Sequence, residues 1–276
     1  MTAGGPGLFV SDVDGTLITP DKRLTPAALE AVAELKAAAV PFTVISSRPP
    51  RGLRRIVDAL AVELPFAAFN GGAIVGPDGG LVAAHRLPAS VAQAALQLAA
   101  AKGVAPWAFA DDQWFVTQAD GPRVAHERMT VSFDPVVVTD FSEVLDRIDK
   151  VVAPSDDMAL LGEVERTLRL QLSAEANIER SQTYYVDVTH PLANKGHAVK
   201  ALALHAGVAV ENTVVIGDMT NDIAMFRVAG FSIAMGQAPQ PVKAAAKAVT
   251  GPNTADGFAA AVRTLVLPRL APAKAR

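Results

Sequence analysis

The chain has 276 residues, half of them hydrophobic and 19% charged, with a net charge of −3 and no cysteine. Length allows one or two domains with a substantial core. The charge gives no reason to expect a nucleic-acid partner, and the missing thiols exclude disulfides, thiol catalysis and thiolate metal sites. No apolar run is long enough to cross a bilayer, and MTAGGPG has no basic segment ahead of an apolar core, so neither a membrane partner nor a secretory leader is expected and the expected location is cytoplasmic. The Pro/Ala-rich, basic ending LPRLAPAKAR reads as a frayed end.

In chain order, LFV at 8–10 reads as a buried strand that ends in Ser11, Asp12, Val13, Asp14 and Gly15. Thr25 and Pro26 form an N-cap and first helical position, and Leu29, Val32, Ala33 and Leu35 recur at helical spacing. VPFTVI at 40–45 predicts a second strand ending in Ser46, Ser47 and Arg48; a helix follows at about 50–60, and a third strand at 66–69 ends in Asn70-Gly71-Gly72. This β–α–β–α–β rhythm predicts a parallel sheet with right-handed crossovers. It breaks at 73–85, a hairpin around Pro-Asp-Gly-Gly. An Ala/Leu-rich helix is expected at 90–102, strands at 105–109 and 113–118, helices at 141–148 and 158–172, and strands at 150–153, 178–180 and 184–188. No element is legible between 121 and 141.

From Lys195 the first rhythm returns: a helix at 196–206 closed by Gly207, the strand TVVI at 213–216 ending in Gly217-Asp218, a helix at 221–228, a strand at 231–234, and helices at 241–246 and 257–265. The expected fold class is therefore α/β, a Rossmann-like parallel-sheet core (1–83 and 186–276) with an inserted α+β cap domain (84–185).

Four polar clusters follow four predicted core elements: Asp12 with Asp14, Ser46, Lys195, and the run from Asp218 to Asp222. Ligands in open parallel sheets bind beyond the carboxyl ends of the strands. On a regular strand residues i and i+2 point the same way, so Asp12 and Asp14 are expected to share a cation, with Mg²⁺ and its oxygen shell the natural candidate. Each cluster alone has a bland reading as a strand-end turn, a solvated lysine or a carboxylate at a helix N-terminus. Together they are the equipment for a phosphate ester: metal and lysine neutralise phosphoryl oxygens, hydroxyl and amides donate to them, one carboxylate is a nucleophile and another an acid and then a base.

With these residues the chain resembles the haloacid dehalogenase-like hydrolases, in particular the Cof-like phosphatase branch with a large inserted cap. Asp-Val-Asp-Gly-Thr at 12–16, Ser46 ahead of Arg48, Lys195-Gly196 and Gly217-Asp218-x-x-Asn221-Asp222 match the four family motifs in order. Asn70-Gly71, Ala234-Met235-Gly236 and Asn253-x-x-Asp256-Gly257 also resemble that branch. The resemblance implies Asp12 as nucleophile and Mg²⁺ ligand, and Asp14 as acid then base with its carbonyl on Mg²⁺. It also implies Asp218 as third ligand, Ser46, Lys195 and Asn221 on the phosphoryl group, and Asp222 and Asn70 in support. Asp12 is expected to be ionised and Asp14 protonated at the first step. Ser47 departs from the branch, which has Gly there; a positive φ at this position would be strained and would tilt Ser46.

The implied activity is hydrolysis of a small phosphorylated metabolite, such as a sugar phosphate, through an aspartyl-phosphate. The rivals are a phosphomutase on hexose phosphates and a non-catalytic phosphometabolite-binding protein. Specificity is expected in the cap, where Asp111, Asp112, Trp114, Arg123, His126 and Arg128 are the polar or aromatic candidates. Asn253 either lines the site or caps the last helix.

Overall fold

The structure, a computed structural model, describes residues 7–269. Its first stretch runs β1 (Leu8–Asp12), α1 (Pro26–Ala37), β2 (Phe42–Ile45), α2 (Pro50–Ala59), β3 (Phe66–Ala68), β4 (Ala73–Val75) and β5 (Leu81–Ala84). The middle runs α3 (Ala89–Ala101), β6 (Trp107–Ala110), β7 (Gln113–Val116), α4 (Val124–Val131), β8 (Val136–Val137), β9 (Ile148–Pro154), α5 (Met158–Leu172), β10 (Asn177–Gln182) and β11 (Tyr185–Thr189). The last stretch runs α6 (Lys195–His205), β12 (Thr213–Gly217), α7 (Ile223–Val228), β13 (Phe231–Ala234), α8 (Gln240–Ala245), β14 (Ala248–Val249) and α9 (Gly257–Ala261).

The larger sheet has the order β14-β13-β12-β1-β2-β3-β4-β5. It is parallel from β14 to β3 and antiparallel at the β4–β5 edge. β1 lies between β2 and β12, strands from opposite ends of the chain, so the sheet's switch point falls at the end of β1. Register brings the strand ends level: Asp12 pairs with Ile45, and Ser11 with Ile216. Side chains alternate across the sheet. Phe9 packs with Val32, Leu35 and Phe258 on one side, while Leu8 and Val10 pack with Val199, Leu202 and Phe226 on the other. Each such fully buried side chain contributes roughly 2 kcal/mol.

The second sheet, β10-β11-β9-β6-β7-β8, is the inserted cap. One face packs on α3 and α5 through Leu96, Leu161, Val164 and Leu168. The other carries Trp107, Phe109, Trp114 and Tyr185 into the same apolar cluster as core residue Phe69, whose ring lies 5.9 Å from that of Phe109. The cap is therefore seated on the core by aromatic packing.

Thr25 caps α1 by accepting from the Ala28 amide, as its sequence requires. Three expectations are corrected. The segment 141–148 is a 3₁₀ turn (Ser142–Arg147) followed by a strand, because Ile148 to Pro154 are all buried in β9, polar Asp149 and Lys150 included. The illegible stretch contains α4, which opens at Arg123 and closes at Ser132, both at positive φ, without a capping side chain. Pairing of β11 with β9 carries the second sheet to Thr189, beyond the expected division at 185. Of the ending, Leu267–Arg269 form a 3₁₀ turn and the rest lies outside the described residues. No helix among the described residues is long and apolar enough to cross a membrane.

Candidate active site

Two glycines shape the loops that carry the acids. Gly15 sits at φ +80°, and a Cβ there would meet Asp218 Oδ2 at 2.2 Å. A Cβ on Gly217 would meet the Asp222 carboxylate carbon at 2.4 Å. Gly15→Ala is therefore expected to displace Asp218 and to weaken divalent-cation affinity at least about tenfold, the usual cost of disturbing a ligand's surroundings; titration calorimetry with Mg²⁺ checks this, and unchanged affinity would refute it.

At the bottom of the site Lys195, first residue of α6 and only 1% exposed, donates to Asp12 Oδ1 at 2.5 Å and to Asp222 Oδ1 at 2.6 Å. Asp222 Oδ2 accepts the Asp218 and Met219 amides, both at 2.8 Å, so both of its oxygens are committed. Asp218 has only weak partners, Thr16 Oγ1 and Gln237 Nε2, each at 3.4 Å. Asp12 Oδ2 is buried with no partner at all. Carboxylate oxygens of Asp12, Asp218 and Asp222 lie within 4.8 Å of one another.

Three buried carboxylates thus share one ammonium. Burial pushes Asp12 up to about 7, Lys195 pulling it back and the Asp222 charge adding to the rise. Burial, then Asp12 and Asp222, raise Asp218 well above the carboxylate range. Burial acts to lower Lys195, but the charges of Asp12 and Asp222 outweigh it and raise it, so the lysine stays cationic. The unmatched charge and the free Asp12 oxygen fit a hard divalent cation, which binds through oxygen ligands. Asp12 and Asp218 have the oxygens to hold it, and Asp222 instead fixes Lys195 and the Asp218 backbone.

Asp14 does not share that cluster. β1 ends at Asp12, and Asp14 lies in a turn bridged to Ile18, so strand alternation no longer aims the two side chains together. Instead Arg48 Nε and Nη2 grip Asp14 Oδ2 and Oδ1 at 2.6 and 2.7 Å, and Lys22 Nζ donates to Oδ1 at 2.7 Å. Burial alone would raise Asp14, but the Arg48 charge and bonds, and then Lys22, hold it well below the usual carboxylate range. The expected separation is that of the site with its metal; on the protein's own charges Asp14 is held low and Asp12 is raised. The expectation rested on a metal beside only one of the two carboxylate side chains and did not include Arg48 and Lys22.

Ser46 closes β2, its Oγ accepting the Arg48 amide at 3.2 Å. Ser47 is not among the positive-φ residues, so the strain expected there is absent. Asn70 takes the left-handed conformation at φ 58°. Its amide donates to the Ser46 carbonyl at 2.8 Å, and its Oδ1 accepts Asn221 Nδ2 at 3.1 Å, so the turn ties the second and fourth polar clusters together. Asn253 does not cap α9: its Nδ2 donates to the Ile18 carbonyl at 3.0 Å and its amide to Gln237 Oε1 at 3.1 Å. Gln237, which no sequence signal marked, in turn donates to the Gly15 carbonyl.

Of the cap candidates only His126 lines the cavity at Asp14; its Nε2 lies 2.9 Å from Tyr184 Oη. Asp111 pairs with Arg86 and Arg147, and Arg128 with Asp134. Arg123 pairs with Asp156 and covers the Tyr184 ring. Trp114 is packed against Trp107 and Phe109. Asp112 accepts the Arg51 amide at 2.8 Å, a cap-to-core contact. The cavity also holds Glu127 and Lys150, buried charges inside apolar runs that periodicity did not expose.

A family model described as haloacid dehalogenase-like hydrolase matches residues 9–262. The chain is 27% identical over 90% of its length to a pyridoxal phosphate phosphatase of Escherichia coli, covering 94% of that protein. It is 29% identical over 82% of its length to an HMP-PP phosphatase of Cronobacter sakazakii, covering 83% of it. A crystal structure of a haloacid dehalogenase-like hydrolase from Bacteroides thetaiotaomicron superposes with a TM-score of 0.83 at 25% identity, over 94% of this chain and 98% of that one. The strand-end acids, the buried lysine and the inserted cap stand in a chain matched over nearly its whole length, and the protein belongs to the haloacid dehalogenase-like hydrolase family.

Proposed function

We propose that the protein is a Mg²⁺-dependent phosphatase of small phosphate monoesters that works through an aspartyl-phosphate on Asp12. The observation that carries this reading is the free, buried Asp12 Oδ2 beside Asp218, with Lys195 on the other oxygen. Mg²⁺ held by Asp12, Asp218 and the Asp14 carbonyl would supply positive charge for the transferring phosphoryl oxygens. Ser46, Lys195 and Asn221 would bind the remaining phosphoryl oxygens. Asp12 attacks phosphorus, and the ester oxygen leaves with the proton of Asp14. Asp14, now ionised, takes a proton from the water that attacks the phosphorus, releasing inorganic phosphate and restoring Asp12.

Asp14 can carry that proton only when Arg48 relaxes its grip. Arg48 Nη1 also donates to the Thr130 carbonyl of α4 at 2.6 Å, so its position is set partly by the cap. The cavity at Asp14 encloses about 20 Å³, about the space of one water. In this reading the cap, about 84–189, lifts to admit substrate and thereby loosens Arg48 from Asp14.

The test is phosphate release from a panel of phosphorylated metabolites, with Mg²⁺ and with chelator. Metal-dependent release that needs Asp12 is the expected result. Isomerised sugar phosphate without free phosphate would establish the mutase instead, and binding without turnover on the whole panel the non-catalytic protein.

A further inference from the structure

The cap and core meet across two cavities, and their charges are unevenly matched. Beside the small one at Asp14 lies a cleft of about 400 Å³ between β10 and α5 of the cap and the core loop 220–222. Ligand sites of small molecules start at about this size. Among the described residues every Lys and Arg lining the two cavities has a carboxylate partner: Lys22 and Arg48 share Asp14, Arg169 and Arg180 share Glu165, and Lys150 faces Asp187. Lys150 also spends a proton on the Ser47 carbonyl at 2.9 Å, and Arg180 one on the Thr183 carbonyl at 2.8 Å.

The unmatched groups of the larger cleft are acceptors. Glu179 Oε2 on the cap wall and Asn221 Oδ1 on the core wall of the larger cleft are both buried without a partner. Glu127, buried at the smaller cavity, has no cation within ion-pair distance. A buried acceptor left unpaired is unfavourable, so a ligand that brings donors to this wall relieves that cost. A ligand that brings a second anion meets Glu127 and Glu179 and has to compete with Asp14, Asp187 and Glu165 for the cations of these walls.

We propose that Glu179 is a specificity-determining residue. It accepts a hydrogen bond from a hydroxyl or ammonium of the leaving group and selects monoesters of polyols and amino alcohols over those bearing a second anionic group. This rests on the phosphatase reading and deepens it by naming the substrate class. Burial as the main cause pushes Glu179 up to about 7, so near neutrality the group alternates between charged and neutral forms and serves hydroxyl and ammonium donors alike.

The experiment compares kcat/KM on sorbitol 6-phosphate and glucosamine 6-phosphate with that on 6-phosphogluconate and fructose 1,6-bisphosphate. Wild type should favour the first two by about tenfold or more, the size of discrimination a single polar contact supports. Glu179→Gln, which keeps the shape and removes the charge, should shrink that ratio about threefold or more. Glu179→Asp should restore part of it. A preference for sorbitol over glucosamine phosphate would assign the donor as hydroxyl, and the reverse as ammonium. An unchanged ratio in Glu179→Gln, or wild-type preference for 6-phosphogluconate, would overturn the proposal. The same four compounds are titrated calorimetrically against Asp12→Asn protein with and without Glu179→Gln. If wild type hydrolyses none of them, the phosphatase reading fails, while the affinity order still decides the role of Glu179.

Discussion

Asp12→Asn is expected to abolish phosphate release and, in chelator at pH 8, to melt at a higher temperature than wild type. Loss of turnover follows from removing the nucleophile, with a fall in kcat on the order of 10⁵-fold, as when a residue of a nucleophilic unit is deleted. The stability gain has a separate origin. Asp12, Asp218 and Asp222 are buried around the ammonium of Lys195, and the first two are raised by burial and by the charge of Asp222. A carboxylic acid whose folded pKa is raised supports the fold below its unfolded pKa and loses that support as pH climbs through the folded value. For Asp12 the window runs from about 4 to about 7. Metal-free wild type should therefore lose stability across that window, by on the order of 4 kcal/mol, or roughly 10 °C in Tm for a chain of this size. Mg²⁺ should restore it increasingly as pH rises. Asn keeps an acceptor for Lys195, which retains Asp222, and it lacks the titrating charge, so the variant's Tm should change less with both pH and Mg²⁺. Scanning calorimetry from pH 5 to 8 with and without Mg²⁺ measures all of this. A wild-type Tm indifferent to Mg²⁺ at pH 8, or Mg²⁺-dependent turnover in the variant, would sink the reading of the cluster.

That cluster was legible because its parts sit at strand ends. A buried strand must terminate in a loop that leaves polar groups at the sheet's edge, and LFVSD, FTVI and TVVIG each do so with few other polar residues nearby. Parallel pairing then brings Asp12, Ser46 and Asp218 together without further information. The partners of Asp14 were not legible. Lys22 comes from a left-handed turn eight residues on, and Arg48 reaches back from the loop after a neighbouring strand. Neither lies on a periodic element, so no spacing announces the pairing, and the hold of Arg48 and Lys22 on Asp14 has no signal in the sequence. The cap was readable as alternating strands and helices but not as a binding wall. Glu127 lies on α4, whose entry at positive φ lacks a capping signal, and Lys150 and Glu179 stand on strands whose buried faces elsewhere carry apolar residues. Whether a buried charge faces a cavity or a partner depends on the tertiary fold.

Arg48→Met carries the second large effect, and it separates the acid's position from its charge. Arg48 is 6% exposed; it grips both oxygens of Asp14 and donates to the carbonyls of Gly52 and Thr130. Without it Asp14 is a buried carboxylate held by Lys22 alone, and two carbonyls lose a donor. Breaking such a pair from one side costs about 3 kcal/mol or more, or on the order of 8 °C in Tm. The sign with pH is opposite to that of Asp12. Asp14 is held below its ordinary range, so its stabilisation is present above about pH 4, the unfolded value, and is lost only as pH falls toward the folded one. The Tm gap between wild type and variant should thus stay level from pH 6 to 8 and narrow below about pH 4. In turnover, the Asp14 carboxylate loses the cation that favours its ionised form, so the alkaline limb of the kcat/KM profile, where the acid must still hold its proton, should move to higher pH. kcat/KM should fall about 10- to 100-fold, because the acid is no longer held in place and α4 is no longer tied to it. Arg48→Lys keeps the charge but cannot span both Asp14 oxygens and two carbonyls, so it should recover the position of the alkaline limb more fully than the Tm. An alkaline limb that stays fixed in Arg48→Met would mean that Arg48 does not set the charge state of Asp14. An unchanged Tm at pH 7 would mean that the cap-to-core bond through Thr130 carries no load.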